Sequence, residues 1–275
     1  MGEGHGQTVL TTGANSGIGL ATMLLLARLG FRSVGSVRSQ AKAGDLARAA
    51  AAAGVAVESV LMDVTDAARC AEVVEELRPW GIVNNAGYSG IGAIEDVTDE
   101  EARHQLETMV VAPMRLARLA LPHMREQGSG RVVNVSSIYG ITTTPFSGWY
   151  QACKHALEAA SDALRLEVAR DGVRVILIEP GGFKTGIWGE LQADIARLEG
   201  SSYAAGYGRL KTLFEPYRMF MGAPEDAAKA VGKALTAGSP RARYLVGRDA
   251  RAIATAQPLL PTVLRDRITR IVLGL

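Results

Sequence analysis

Strand-like and helix-like segments alternate along this chain from its beginning, and this alternation restricts the folds open to it. Short apolar runs are followed by stretches with helical periodicity, the first two of which cover residues 17–29 and 41–53. The predicted strands are residues 8–11, 31–37, 55–61, 81–84, 131–135, 173–178 and 243–246. Strands separated by about ten or more helical residues form crossover units, so the pattern predicts an α/β fold with a parallel sheet covered on both faces.

Composition narrows the class of protein. The chain has 275 residues, 48% hydrophobic content and a net charge of +2, which predicts a single globular domain over residues 1–275. Its basic residues are dispersed, which argues against a nucleic-acid partner. Cys70 and Cys153 match neither a metal-binding spacing nor a disulfide framework, which favours a reducing compartment. Without an apolar run long enough for a transmembrane segment or a recognisable signal sequence, we expect a cytoplasmic protein.

The turn "TGANSGIG" at residues 12–19 joins the first predicted strand to the first predicted helix. Gly13, Gly17 and Gly19 permit a tight turn and a close approach of backbone N–H groups to a pyrophosphate at the helix N-terminus. A glycine-rich connection without a ligand is the alternative. The position of the turn in the first crossover unit favours dinucleotide binding.

Arg38 ends the second predicted strand, about 20 residues past the glycines, where a dinucleotide fold places the residue that meets the adenosine ribose. An arginine there suits a 2′-phosphate, so the expected cofactor is NADP(H). A solvated cation at a strand end is the alternative. Asp63 follows the third strand and is placed for the adenine edge, although an aspartate in that position is also an ordinary helix cap.

Five motifs in register resemble the short-chain dehydrogenase/reductase family: "TGANSGIG", "NNAG" at 84–87, "NVSS" at 134–137, "YQACK" at 150–154 and "EPGGFKT" at 179–185. The resemblance implies one doubly wound Rossmann-fold domain of about seven parallel strands, with a long substrate lid after the sixth. It also implies assembly as a homodimer or homotetramer. The cofactor contacts that it implies are Gly13, Asn15, Ser16, Gly17, Ile18, Gly19, Arg38, Asp63, Val64, Asn85, Ala86, Gly87, Tyr150, Lys154, Pro180, Gly181 and Thr185.

Tyr150 and Lys154 lie four residues apart in a helical pattern, so both belong to one helix face. A nearby ammonium favours the phenolate and lowers a tyrosine pKa. The resemblance implies that Tyr150 exchanges the proton with a carbonyl oxygen, that Lys154 also reaches the nicotinamide ribose, and that Ser137 orients the carbonyl. The alternative is a surface pair without a chemical role.

Met109 departs from the family pattern, which commonly has an asparagine at this position of the central helix to hold a water beside the lysine. Methionine cannot hold water in that way. The proton relay is therefore the part of the implied mechanism in question. The alternative function is a catalytically weak NADP(H)-binding sensor or regulatory protein.

Residues 183–220 form a long segment without regular pattern, interpreted as the substrate lid. It is rich in aromatic residues: Phe183, Trp188, Tyr203, Tyr207, Phe214, Tyr217 and Phe220. These rings suit a bulky lipophilic carbonyl or alcohol, or alternatively close the lid onto the core.

The C-terminal stretch from Arg241 carries seven arginines against two aspartates. The pattern of its last residues predicts a short amphipathic helix. Three uses of this helix are open: packing over the substrate cleft, a subunit contact, or attachment to an anionic membrane surface.

Overall fold

The computed structural model describes residues 6–184 and 193–275, apart from the side chain of Phe220. Its centre is a seven-stranded sheet in which every neighbouring pair is parallel, in the order β3-β2-β1-β4-β5-β6-β7. The strands are β1 (Thr8–Thr12), β2 (Arg32–Val37), β3 (Glu58–Leu61), β4 (Gly81–Asn84), β5 (Gly130–Val135), β6 (Val173–Pro180) and β7 (Arg243–Val246). The predicted doubly wound parallel sheet is confirmed.

Helices follow most strands and cover the sheet. They are α1 (Gly17–Arg28), α2 (Gln40–Ala52), α3 (Ala67–Leu77), α4 (Asp99–Leu106), α5 (Ala112–Glu126), α6 (Gly148–Glu167), α7 (Ala204–Tyr217), α8 (Pro224–Thr236), α9 (Arg248–Ala256) and α10 (Thr262–Leu273). A π-helical turn, Glu107–Val111, lies between α4 and α5.

Successive residues of the central strands face opposite sides of the sheet, and both sides are buried. Leu10 and Ile82 belong to the core formed with α3 and α5. Their neighbours Val9 and Val83 belong to the core formed with α1 and α8. Burial on both faces explains why these strands are nearly continuous apolar runs rather than alternating ones.

Both edges of the sheet carry an arginine bound to carboxylates. At the β3 edge, Arg32 donates to the exposed Glu58 at 2.7 Å. At the β7 edge, Arg243 binds three carboxylates: the buried Glu158 of α6, Asp162 one turn further, and the buried Glu179 of β6 at 2.6 Å. Arg243 therefore joins the last strand to α6 and to the sheet.

The segment 183–220 was expected to lack regular structure, and this was wrong for its described part. Residues 193–197 are helical, α7 covers Ala204–Tyr217, and a 3-10 turn follows at Arg218–Phe220. Gly206, Gly208 and Pro216 concealed α7 in the sequence, because glycine and proline weaken a helical pattern. The helix is stabilised by its packing against the body of the protein.

Most described aromatic rings of this segment pack into a small core of their own. Tyr207 is fully buried beside Phe146, and its hydroxyl accepts from the Ala93 N–H at 2.6 Å and donates to Asp96 at 2.6 Å. Tyr203 and Phe214 pack against the same cluster. Trp188 lies outside the described residues. The described rings thus close the lid onto the protein, the second of the two interpretations above.

The predicted C-terminal amphipathic helix is present as α10. Of its large apolar side chains only Leu273 is buried. Across the parts of the chain that the structure describes, no helix has the length and apolar character needed to cross a bilayer.

We expect Arg243→Met to lower the free energy of unfolding by about 3 kcal/mol at about pH 7.5, because it leaves Glu158 and Glu179 as buried carboxylates without a cation. Urea unfolding measures this. The equivalent change at the exposed Arg241, two residues away, is the control and should have little effect.

The loss of unfolding free energy caused by Arg243→Met should be smaller at about pH 5. Burial and the neighbouring Glu158 already raise the pKa of Glu179, and loss of the guanidinium raises it further. A carboxyl whose folded pKa exceeds its unfolded value contributes stability that is lost as pH rises through the folded pKa. A deficit independent of pH would contradict this account.

Candidate active site

The carboxyl ends of β1 and β4 are joined by a set of hydrogen bonds. The Asn85 side-chain amide donates to the carbonyl oxygens of Thr12 at 3.0 Å and Gly13 at 3.2 Å. In return, the Thr12 hydroxyl accepts from the backbone N–H groups of Asn85 and Ala86, both at 3.0 Å. The turn after β1 and the turn after β4 are therefore held as one unit.

Glycines are required where these two turns meet. Gly13 has φ +64°, in the left-handed region, and a Cβ there would lie 3.0 Å from the Ala86 Cα. A Cβ on Gly19 would lie 2.6 Å from Asn85 Nδ2 and closer still to the Gly13 carbonyl oxygen. The predicted tight turn is thus built from close backbone contacts.

A groove of about 920 Å³ runs over these turns. Eleven predicted cofactor contacts line it: Gly13, Asn15, Ser16, Gly17, Ile18, Arg38, Asp63, Val64, Asn85, Ala86 and Gly87. Gly19 lies behind the turn. Tyr150, Lys154, Pro180 and Gly181 do not line the groove, and Thr185 falls outside the described residues. The groove therefore brings together the residues that were predicted to meet the adenosine and the pyrophosphate.

The donors in the groove fit a phosphate-bearing nucleotide. At the N-terminus of α1, Ser16 makes no side-chain capping bond and the first turn has no acidic residue, so backbone N–H groups remain free for an anion. The buried Thr108 hydroxyl also lines the groove and has no hydrogen-bond partner among the described residues. A buried hydroxyl of this kind needs a partner, which a ligand can supply.

Lys42, in the first turn of α2, lines the groove together with Arg38. The sequence analysis missed it, because a lysine in an alanine-rich helix has no motif. Two cations therefore lie where β2 gives way to α2, the place expected for a ribose phosphate. Asp63 is not a helix cap: Asp66 caps α3, whereas Asp63 accepts from the Thr65 N–H at 2.9 Å.

Tyr150 and Lys154 share one face of α6, as predicted. The Lys154 ammonium is buried, donates to the Val135 carbonyl oxygen at 2.9 Å and lies 5.6 Å from the centre of the Tyr150 ring. Ser137 follows β5 and is buried beside them, and its hydroxyl accepts from the Tyr139 N–H at 3.2 Å. The structure thus brings the three predicted residues together at the end of β5.

Burial sets the proton affinities of this group. It raises the pKa of Tyr150 to about 12, an effect that a hydrogen bond with Ser137 partly offsets. It lowers the pKa of Lys154 to about 8, against the attraction of Cys153 and Glu158. A nearby ammonium is predicted to lower the tyrosine pKa, but in this structure the pKa is raised, because desolvation of the phenolate is the largest effect on it.

Cys153 is fully buried, and burial raises the pKa of its thiol to about 11. The thiol is therefore uncharged at neutral pH, which fits a packed helix residue rather than a nucleophile.

Met109 lies in the π-helical turn and is buried. Its sulfur approaches the space beside Gly87, where a Cβ would lie 3.4 Å away. The Met109 side chain packs between the π-helical turn and the turn after β4. This packing gives Met109 a structural role at the position where the family commonly has asparagine.

Pro180 ends β6 and Gly181 follows it, and an acid that no sequence pattern marked holds this turn. Asp249, in the first turn of α9, accepts from the Gly182 N–H at 2.6 Å and from the Tyr217 hydroxyl. The turn after β6 is thus fixed to both α7 and α9. No local signal marks Asp249, because its partners are more than 30 residues away in sequence.

Asp194, before α7, was also missed. Its carboxylate accepts from the Ile91 N–H at 3.1 Å and it lines the groove. The described part of the lid therefore reaches across to the loop after β4.

A parallel sheet with a glycine turn, a groove lined by predicted cofactor contacts and a half-buried tyrosine beside a buried lysine is the arrangement of a dinucleotide-binding oxidoreductase. The profile of the short chain dehydrogenase family matches residues 7–196. The chain belongs to this family.

Relatives of known name match over nearly the whole chain. The NADPH-dependent 3-dehydrocapnine reductase of Ornithobacterium rhinotracheale is 32% identical over 271 residues, which cover 94% of each chain. Retinol dehydrogenase 5 of Homo sapiens is 34% identical over 280 residues, covering 94% of this chain and 86% of that protein. A solved short-chain dehydrogenase from Streptomyces avermitilis has a TM-score of 0.79 and 33% identity, covering 96% of this chain and 95% of that chain.

We expect Gly19→Ala to destabilise the protein by about 1 to 3 kcal/mol and to abolish binding of NADPH, because the added methyl group meets backbone that cannot move aside. Gly208→Ala in α7 is the matched control: no atom lies within 4 Å of its Cβ position. It should stabilise the protein by about 0.5 to 1 kcal/mol. Melting temperature and NADPH fluorescence test both; normal cofactor binding by Gly19→Ala would refute the requirement.

Proposed function

We propose that this protein transfers hydride between NADP(H) and a carbonyl or alcohol of a bulky lipophilic compound, with Ser137, Tyr150 and Lys154 as its catalytic residues. The observation that carries the proposal is the meeting of these three side chains at the end of β5, with Lys154 buried and bonded to the Val135 carbonyl oxygen. Two separate parts of the chain supply them: the segment after β5 and helix α6. A surface pair without function would not place a lysine charge inside the protein.

Tyr150 is the proposed proton donor in reduction. With its pKa raised to about 12, the phenol is protonated at neutral pH and has a proton to give. The Ser137 hydroxyl is placed to bond the same carbonyl oxygen and orient it. Lys154 carries positive charge below its pKa of about 8 and stabilises the phenolate left after the transfer.

Bound NADPH supplies the hydride to the carbonyl carbon, and the residues of the chain hold it. The free N–H groups of α1 suit its pyrophosphate, and Arg38 and Lys42 suit the 2′-phosphate. The name of the dehydrocapnine reductase supports the choice of NADPH.

The proposed lipophilic substrate is supported by the relative named retinol dehydrogenase 5. Three of the described aromatic residues of the lid do not define the substrate, because Tyr203, Tyr207 and Phe214 pack in a core cluster with Phe146. Purified protein tested with NADPH against paired carbonyls, one long or polycyclic and one small, measures this part of the proposal. Equal kcat/KM for both members of each pair would argue against it.

Arg38→Asp should shift preference from NADPH toward NADH, because it removes a phosphate partner and adds a repelling charge. Loss of one charge-assisted contact costs about 1.5 to 3 kcal/mol, or about tenfold to a hundredfold in NADPH affinity. Titration of both cofactors measures this, with Arg118→Asp, an exposed arginine of α5, as the control. A wild-type protein that prefers NADH would overturn the assignment.

Tyr150→Phe should reduce the rate of carbonyl reduction below about a tenth of the parent value, with NADPH affinity nearly unchanged, because the hydroxyl serves the transition state. Lys154→Ala should lower both the rate of carbonyl reduction and the affinity for NADPH. Tyr139→Phe is the matched control, since its ring contacts Tyr150 edge-on at 6.3 Å. Undiminished turnover in Tyr150→Phe would exclude it as the acid. Tight NADPH binding without turnover on any carbonyl would favour the sensor alternative.

A further inference from the structure

Exposed apolar side chains concentrate at the C-terminal end of the chain. Among the described residues, nine of the fifteen exposed large hydrophobic side chains lie between 253 and 275. They are Ile253, Leu259, Leu260, Val263, Leu264, Ile268, Ile271, Val272 and Leu275. Single exposed apolar residues are ordinary on a protein surface, but a cluster of this kind indicates an interaction surface.

The cluster has a regular arrangement on α10. Leu264, Ile268 and Ile271 follow one another at intervals of four and three residues, which places them on one side of the helix. Leu273, the buried residue of α10, lies on the other side, against the protein. We call the outward side the α10 face. It is 72% exposed at Ile271 and 46% exposed at Leu264.

The last two helices, α9 and α10, are rich in arginine. Residues 248–275 contain five arginines, at 248, 251, 265, 267 and 270, against Asp249 and Asp266, a net charge of +3. Asp249 is occupied by Gly182 and Tyr217. None of the five arginines forms an ion pair with a carboxylate of the described residues. The positive charge of this surface is therefore uncompensated.

We propose that the α10 face docks on an anionic lipid bilayer surface. Apolar side chains in the middle of a face, with arginines beside them, match acyl chains and phosphate headgroups respectively. A helix of 12 residues is about 18 Å long, too short to cross a core of about 30 Å, so α10 lies in the plane of the interface. A second copy of the chain fits less well, because it would bring two sets of unpaired arginines together.

Sedimentation of the full-length protein with sucrose-loaded vesicles tests the proposal. Vesicles of equal parts phosphatidylglycerol and phosphatidylcholine should sediment the protein, and vesicles of phosphatidylcholine alone should do so much less. The double change Leu264→Gln and Ile271→Gln should weaken binding at least about tenfold. Its control is Leu166→Gln, a 68% exposed leucine of α6. Ile271→Gln alone, at a 72% exposed position, serves if the double variant does not fold.

The arginines are tested separately. Arg267→Gln and Arg270→Gln should each weaken binding to the anionic vesicles about fivefold, whereas the exposed Arg170→Gln, just beyond α6, should not. Added salt should weaken wild-type binding. Absence of sedimentation, or equal binding to both kinds of vesicle, would overturn the proposal. So would a dimer, seen by light scattering, that the glutamine variants dissociate without any vesicle binding, since the face would then belong to a second copy.

Discussion

The hydrogen bonds of Asn85 to Thr12 and Gly13 are the interaction on which the rest of the site depends. They join two strands that are neighbours at the centre of the sheet but 73 residues apart in sequence. The approach is possible because Gly13 and Gly19 have no side chains in the contact. These bonds therefore fasten to each other the two turns that line the groove.

Desolvation rather than charge attraction governs the buried group at the end of β5. Tyr150 holds its proton more firmly than free tyrosine, and Lys154 holds its proton less firmly than free lysine. In the proposed reaction a proton moves between this group and the carbonyl oxygen, and these pKa shifts keep the phenol protonated at neutral pH. Met109, which packs beside the turn after β4, leaves that exchange to groups other than a side-chain amide.

The sequence was sufficient for features that are local. A few neighbouring residues are enough to reveal each of these features. They are the hydrophobic runs of the strands, the glycine turn, Arg38 and the spacing of Tyr150 and Lys154. Lys42, Asp194 and Asp249 carried none, because their roles depend on partners from distant elements. Helix α7 was missed because tertiary packing, not propensity, stabilises it. The predicted direction of the Tyr150 pKa shift was wrong because the largest cause of the shift is burial, which the sequence does not show.

The arginine–carboxylate pairs at the two edges of the sheet have a consequence for how this protein meets other chains. An open sheet edge is a template for a further strand and a route to aggregation. Here both edge strands have only four residues, and each edge carries a charged pair: Arg32 with Glu58, and Arg243 with its carboxylates. Because the edge strands are short and carry charged side chains, they offer little backbone with which an added strand could pair. Strand addition at either edge is therefore disfavoured, and association with other molecules is directed to the helical faces.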